Sequence, residues 1–303
     1  MLFYPRINKT VKYIEKQVDM NTIDIMHAHC VFADGAIALK LKQKYNIDYI
    51  LSVRADTKEY FKKMPHAVIQ LKNIILNAKK VIFIAPNMIE EINKKLDENT
   101  KKILKEKTIV LPNGINDYWH KNAESKKYKK RDYLELVQVS EFIKRKKIDE
   151  SINIIEYLNN NGVKSKLTLI DSGKYFDDIK QYVKNKHLEN FVTFTGQIND
   201  IDKLKDIYKN SDIFIMPSLN ETFGLVYIEA MTQGLPVIYK TGTGIDGFFN
   251  TKIGFGIGEF DYEEIKNNII ELINNYDTIS LECVEQSKRF NWSNIANEIT
   301  KLY

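Results

Sequence analysis

Short, unbroken apolar runs alternate with stretches of helical period along almost the whole chain, and this pattern constrains the fold more than any other feature. A strand that is apolar on both faces must be covered on both faces, which requires a parallel sheet sandwiched by helices. IDIMHAH at 23–29, YILSV at 49–53, VIFIA at 81–85 and TIVL at 108–111 read as four such strands. Helices are expected between them over 34–45, 58–78 and 87–96. The alternation restarts with YLELVQV at 133–139, KLTLI at 166–170, FVTFTG at 191–196, DIFIM at 212–216 and LPVIY at 235–239. Helices are expected at 149–160, 175–186, 200–209 and 225–233, with two more at 261–275 and 292–302. The class is therefore α/β, with two parallel-sheet domains.

The break between the two series is the charge-dense stretch 121–131, which has no apolar period and reads as a linker. We therefore expect an N-terminal domain over 1–125 and a second domain over 126–290, followed by a closing helix over 291–303. A chain of 303 residues suits two domains of ordinary size. Open α/β domains placed side by side leave a cleft outside the carboxyl ends of their strands, where ligands of such sheets bind. Hydrophobic residues at 44% and charged residues at 28% are the balance of a globular protein and exclude intrinsic disorder. No apolar run has the length of a membrane helix, and MLFYPRINKT lacks a signal-peptide core. Cys30 and Cys283 lack metal-ligand spacing and cannot form a disulfide framework, so a cytoplasmic setting is expected. Residues 1–125 hold 21 Lys+Arg against 14 Asp+Glu, whereas the remainder holds 24 against 26. A basic first half makes an anionic membrane surface a candidate partner. No basic-aromatic module of the nucleic-acid-binding kind is present, so no nucleic acid is expected. A dinucleotide-dependent oxidoreductase is excluded because no G-x-G-x-x-G follows a strand.

The segment richest in chemistry is MPSLNETFGLVYIEAMTQGLPVIYKTGTG, residues 216–244. A strand ends, a polar loop follows, and a helix opens near Gly224. Unpaired N–H groups and the positive dipole end at a helix start suit an anion or sugar hydroxyls. Glu221 precedes that helix and Glu229 follows eight residues later, two turns in. Gly224 has no Cβ and lets a ligand approach its backbone. VSEFIKRKKID carries four consecutive cations just after the strand at 133–139.

These segments together resemble glycosyltransferase family 4, the retaining GT-B nucleotide-sugar transferases, whose hallmark is an E-x7-E pair. HAHCVFADG resembles the family's first-domain "HxH…DG" element, LPNGI at 111–115 its domain-closing motif, and FNWSNIANEI its crossing helix. The resemblance implies a GT-B fold of two Rossmann-like domains facing a cleft. It also implies a truncated first domain, since the chain starts near the end of the family's opening strand–loop–helix region. By the same resemblance Glu221 would hold the transferred sugar, and Glu229 the ribose hydroxyls of the nucleotide. Backbone N–H groups of Phe223, Gly224 and Leu225 would meet the sugar and diphosphate. Lys146 and Arg145 would neutralise the leaving diphosphate, and Gly173, Gly196 and Ile198 would flank base and phosphates. His29, Asp34 and Arg54 would line the acceptor side. Arg54 stands where the family carries a histidine, with Asp56 two residues on, and Asp171 stands where it carries the first glycine of a G-x-G turn. The expected activity is transfer of a sugar from a nucleotide diphosphate to a lipid-linked or glycan acceptor in surface polysaccharide assembly. No cofactor or metal is expected, because the protein's own cations face the leaving group. The alternative is a truncated, catalytically weak binding subunit. The protein is expected in the cytoplasm, as a candidate for peripheral attachment to the inner membrane face.

Overall fold

β1 (Ile25–Ala28), β2 (Asp48–Val53), β3 (Lys80–Phe83) and β4 (Thr108–Val110) form one parallel sheet in that order. The computed structural model describes residues 3–54 and 67–303. Its Cα atoms separate into one unit of Met1–Asn113 with Ser293–Tyr303 and a second of Gly114–Trp292. In the first unit β2 is buried from Tyr49 to Val53, as its uninterrupted apolar run requires. Among the described residues five helices accompany this sheet: α1 (Phe3–Gln17), α2 (Ala33–Tyr45), α3 (Ala67–Asn77), α4 (Pro86–Asn93) and α5 (Glu98–Lys107).

Two of these helices differ from the expectation, and the causes are local. The helix expected over 87–96 stops at Asn93, and a second begins after Asp97. The Asp97 carboxylate accepts from the backbone N–H of Thr100 at 3.1 Å, which starts a new helix where the apolar period alone continues the old one. α1 was not expected, because its charged residues mask its apolar stripe; Ile7 and Val11 are buried, and α1 packs on α2. Of the helix expected over 58–78, α3 is the described part; residues 55–66, including Asp56, lie outside the described residues.

The second unit holds six parallel strands: β5 (Leu134–Val139), β6 (Ser165–Ile170), β7 (Val192–Gly196), β8 (Ile213–Met216), β9 (Val237–Lys240) and β10 (Gly254–Ile257). Their order is β10-β9-β8-β5-β6-β7. Its helices are α6 (Asp117–Lys121), α7 (Ile148–Asn160), α8 (Phe176–Asn185), α9 (Ile201–Asn210), α10 (Leu225–Thr232), α11 (Tyr262–Asn274) and α12 (Tyr276–Ser287). β10 was not anticipated, since its sequence GFGI has glycine at every second position and reads as a loop. α12 was missed because small polar residues, Ser280, Cys283 and Ser287, fill half of its buried stripe. α13 (Trp292–Thr300) ends the chain. Of its expected apolar stripe, Ile295 is buried, whereas Trp292 is 43% exposed and lies over Gly114.

The stretch expected as a linker is bound into the second unit. Lys126 donates from Nζ to the carbonyls of Tyr208 at 2.6 Å and Ser211 at 2.7 Å, and from its backbone N–H to Ser280 Oγ at 2.7 Å. Arg131 donates to the Asn210 carbonyl, and the Tyr128 N–H donates to Asp277. These cations satisfy carbonyls at the C-terminal end of α9, where four have no partner within the helix and the dipole favours positive charge. Burial holds the Lys126 ammonium well below its usual range, at about 7. A polar sequence thus disguised a tertiary role. Lys126→Ala takes the ammonium donor from the Ser211 carbonyl and leaves the Tyr208 carbonyl with only the Ser211 N–H at 3.2 Å, and urea denaturation at pH 7 is expected to show a loss of about 1–3 kcal/mol.

Candidate functional site

The strand order of the second unit contains one reversal. From β5 the chain proceeds to β6 and β7 on one side, then returns to β8 on the other side of β5 and continues to β9 and β10. The loops leaving the carboxyl ends of β5 and β8 therefore diverge at a shared switch point, where open α/β sheets form a ligand crevice. Both chemically dense loops begin there. The cationic run follows β5 and the Glu221 loop follows β8.

Their side chains meet. Lys146 Nζ lies 2.5 Å from Glu221 Oε2, and the Arg145 guanidinium lies 3.4 Å from the same oxygen. Ser218 donates its hydroxyl to that oxygen at 3.1 Å. Glu221 and Lys146 are each only 9% exposed, whereas the Arg145 side chain is 45% exposed. The backbone fixes this arrangement from both sides. Lys144–Lys146 form one turn of 3-10 helix, whose Lys146 carbonyl accepts from Gln138. The Arg145 carbonyl accepts from the Leu219 N–H at 2.7 Å, and the Glu221 carbonyl from the Gly244 N–H at 2.8 Å. One carboxylate is thus held against two cations, one sequestered and one open to solvent. A pair so desolvated contributes little net stability, but removing either member strands the other.

Gly224 caps α10 with φ +83, and a Cβ there would lie 2.6 Å from the Tyr227 ring. Phe223 turns its ring into the core against Phe248 and Phe290, so its backbone is the part that faces the loop. Leu225 is the first residue of the helix and is half-buried. Around the β6 and β7 ends, Asp171 donates its N–H to the Gly196 carbonyl and Ser172 accepts from the Phe142 N–H. Gly173 has φ +153, and a Cβ there would lie 2.8 Å from the Phe142 carbonyl oxygen. Ile198, half-buried, follows in the loop after Gly196. Asp171 itself has φ +106, a conformation that favours glycine, and its carboxylate accepts from the Ser172 N–H at 2.7 Å. The replaced glycine therefore keeps a glycine-like backbone.

Glu229 has other neighbours. Burial pushes its carboxyl up to about 7, opposed by the nearby side chain of Trp119, which lowers it. Sequence reasoning missed Trp119, which is 2% exposed on α6, and Ser218, whose hydroxyl looks generic in a polar loop. The one available signal was a tryptophan, rare in this chain, just after LPNGIN.

The first unit carries its own polar cluster. His27 and His29 stack with ring centroids 4.2 Å apart at the carboxyl end of β1. His27 bonds Tyr303 Oη at 2.6 Å through Nδ1 and Ser52 Oγ at 2.8 Å through Nε2. Burial, then the nearby His29 and Arg54, hold His27 down at about 4, and burial with Arg54 lowers His29. Arg54 donates to Asn113 at 3.1 Å, and its Nε is buried with no partner among the described residues. Asp34 lies in the first turn of α2, and burial followed by the Asp34 carboxylate pushes the Cys30 thiol up. His29, Asp34 and Arg54 thus share one electrostatic neighbourhood, to which Ser52, Asn113 and Tyr303 are additions. Among the described residues no group of three or more His, Cys, Asp or Glu could hold a metal ion, and no helix is long and apolar enough to cross a membrane.

The model of the family described as glycosyl transferases group 1 matches residues 120–291. The chain belongs to that family. It is a glycosyltransferase, and family members draw the sugar from a nucleotide donor. An uncharacterized glycosyltransferase of Methanocaldococcus jannaschii is 27% identical over 294 residues, covering 94% of this chain and 76% of the relative. Among solved structures, Anabaena HepE in complex with UDP superposes with a TM-score of 0.74 at 18% identity, covering 98% of this chain and 81% of that one. The lipopolysaccharide outer core galactosyltransferase WaaB superposes at 0.75 with 16% identity, covering 99% and 80%. The fold is accordingly GT-B, with two parallel α/β sheets as the sequence indicated.

The raised carboxyl of Glu229 has a measurable consequence for stability. The folded state holds this proton more tightly than the unfolded chain, so its contribution is full below about 4.5 and is lost as pH rises through about 7. Glu229→Gln, a permanent mimic of the protonated form, is expected to gain about 1–3 kcal/mol over the parent protein at pH 8 and almost nothing at pH 5. Urea denaturation at the two pH values, without nucleotide, reads the difference directly.

Proposed function

We propose that this protein is a retaining transferase that moves a sugar from a nucleoside diphosphate to a lipid-linked or glycan acceptor in surface polysaccharide assembly. The observation that carries the reading is the Glu221–Lys146–Arg145 cluster at the switch point of the second unit. In the reaction the bond from the anomeric carbon to the diphosphate oxygen breaks, and negative charge develops on the β-phosphate. The acceptor oxygen attacks the same face of the sugar, and its proton passes to the departing phosphate. Lys146 and Arg145 meet the developing charge as fixed cations, which need no reorganisation as the bond breaks. The N-terminal N–H groups of α10, at Leu225 after the Gly224 cap, add positive potential. Glu221 accepts hydrogen bonds from the transferred sugar once the donor's phosphates share its cations. Glu229 accepts from the ribose hydroxyls in its ionised form. Gly173, Gly196 and Ile198 flank base and phosphates, and His29, Asp34 and Arg54 serve the acceptor side.

The neighbours support this reading by analogy: HepE was solved with UDP, and WaaB is named for lipopolysaccharide outer core galactosyl transfer. Because side-chain cations supply the charge, the reaction needs no bound metal, and transfer is expected to persist in EDTA. The location proposed is cytoplasmic, on or near the inner membrane face.

Steady-state kinetics with the nucleotide sugar chosen by a thermal-shift screen test the assignment. Lys146→Ala is expected to lower kcat by tens to thousands of fold, consistent with about 2–4 kcal/mol for a preorganised charge at a developing anion. Glu229→Ala is expected to weaken nucleotide binding with a smaller effect on kcat, since the ribose does not change in the reaction. Parental kinetics in both variants would remove the donor-site assignment.

A further inference from the structure

We infer that the cavity at the amino end of the second unit's sheet is a phosphate-binding site, in which Lys127 and Lys129 hold the phosphate group of a small phosphorylated compound. The inference goes beyond the donor-site reading and does not rest on it, because the two sites lie at opposite ends of the strands. A cavity of about 400 Å³ opens where the chain enters β5 and β8. Arg131 lines it just before β5, and Lys209, Ser211 and Asp212 line it just before β8. The six residues of β5 span roughly 20 Å, so this cavity and the loops that carry Lys146 and Glu221 occupy opposite edges of one sheet.

The segment 124–131 delivers cations to this cavity by alternation. Every second backbone N–H is tied to the body of the unit: Glu124 donates to the Thr232 carbonyl at 2.9 Å, Lys126 to Ser280 Oγ at 2.7 Å and Tyr128 to Asp277 Oδ1 at 2.7 Å. Successive side chains of an extended chain point opposite ways. Tyr128 accordingly packs on Tyr276, with ring centroids 5.5 Å apart, whereas Lys127, Lys129 and Arg131 line the cavity. The charges there do not cancel. Lys126 and Arg131 are committed to carbonyls at the end of α9, and Lys209 pairs with Glu124 at 3.0 Å. Asp212 is 6% exposed, and its carboxylate accepts from the Glu135 N–H at 2.9 Å. Lys127 and Lys129 are exposed and have no partner among the described residues. Two ammonium groups on long flexible stems, rooted about 7 Å apart on an extended backbone, converge readily on one phosphate. The concave shape favours a small anion over a bilayer, since a flat surface cannot enter a recess lined by the buried Gln233 and Tyr276.

The test titrates inorganic phosphate into the full chain labelled with nitrogen-15 and follows backbone amide resonances. Exposed ammonium groups each contribute modestly in water, so a dissociation constant on the order of 1 mM is expected. A constant of this size leaves the cavity empty at micromolar nucleotide. The amides of Ser125, Lys127 and Lys129 are expected to shift along one saturable curve, and sodium chloride at matched ionic strength is expected to leave them in place. Combining Lys127→Gln with Lys129→Gln is expected to raise the dissociation constant at least about tenfold, as for loss of charge-assisted hydrogen bonds. Both side chains are exposed and unpaired, so the double variant is expected to keep the parental fold and the parental affinity for nucleoside diphosphate.

Equal shifts with sodium chloride would reduce the effect to screening and overturn the inference. Shifts confined to 143–147 and 217–226 would place the phosphate in the donor crevice and overturn it as well, while leaving the donor-site reading intact. An unchanged dissociation constant in the double variant would remove Lys127 and Lys129 from the site. Vesicles of phosphatidylglycerol serve as the second arm. Broadening of the 125–131 resonances by vesicles, with no response to free phosphate, would make this surface a membrane face and contradict a site for a small phosphorylated compound.

Discussion

The contact between Lys146 and Glu221 depends on topology before it depends on chemistry. Seventy-five positions separate the two residues, and they meet because β8 returns to the open side of β5 instead of continuing past β7. Each then needs a rigid loop. The 3-10 turn at Lys144–Lys146 and the loop through Ser218 are tied together by the Leu219 N–H to Arg145 carbonyl bond, so charges and backbone are fixed by one framework. A cation held in this way is ready for an anion before that anion arrives. Water would have to reorganise to do the same, and this difference is the physical basis of electrostatic catalysis.

The two glutamates of the loop and helix differ in environment, and the roles proposed for them divide accordingly. Glu221 is surrounded by donors and cations, so a carboxylate there is compensated without ligand. Glu229 is buried beside an indole and a phenol, so a charge there is costly until something donates to it. A ligand carrying vicinal hydroxyls supplies those donors. In the proposed ribose role, the burial of Glu229 would trade some stability for affinity expressed only when the nucleotide is present.

Strands were the most legible part of the sequence because burial on both faces forces an uninterrupted apolar run, as in IFIM of β8. The features that escaped share a cause. β10 pairs through glycines, α12 fills its stripe with serine and cysteine, and 121–131 hides its tertiary hydrogen bonds inside a run of lysines. Where side chains are small or charged, the pattern of hydropathy carries no record of what the backbone or an ammonium group will touch. The same limit applies to the site. Glu221, Lys146 and Arg145 stood out because their motif is dense, and the fold brings them together. Trp119 and Tyr303 are single residues remote in sequence from Glu229 and His27, so their partners appear only in three dimensions.

Hydrogen exchange measured by mass spectrometry, with and without saturating nucleoside diphosphate, tests the role of the switch point most directly. Protection is expected in the segments that leave β5, β6, β7 and β8, around residues 143–147, 171–175, 196–199 and 217–226, with the back of the same unit, at 124–131 and 276–287, unchanged. Protection confined to the back, or absent from both 143–147 and 217–226, would contradict the assignment of this carboxyl edge as the donor site.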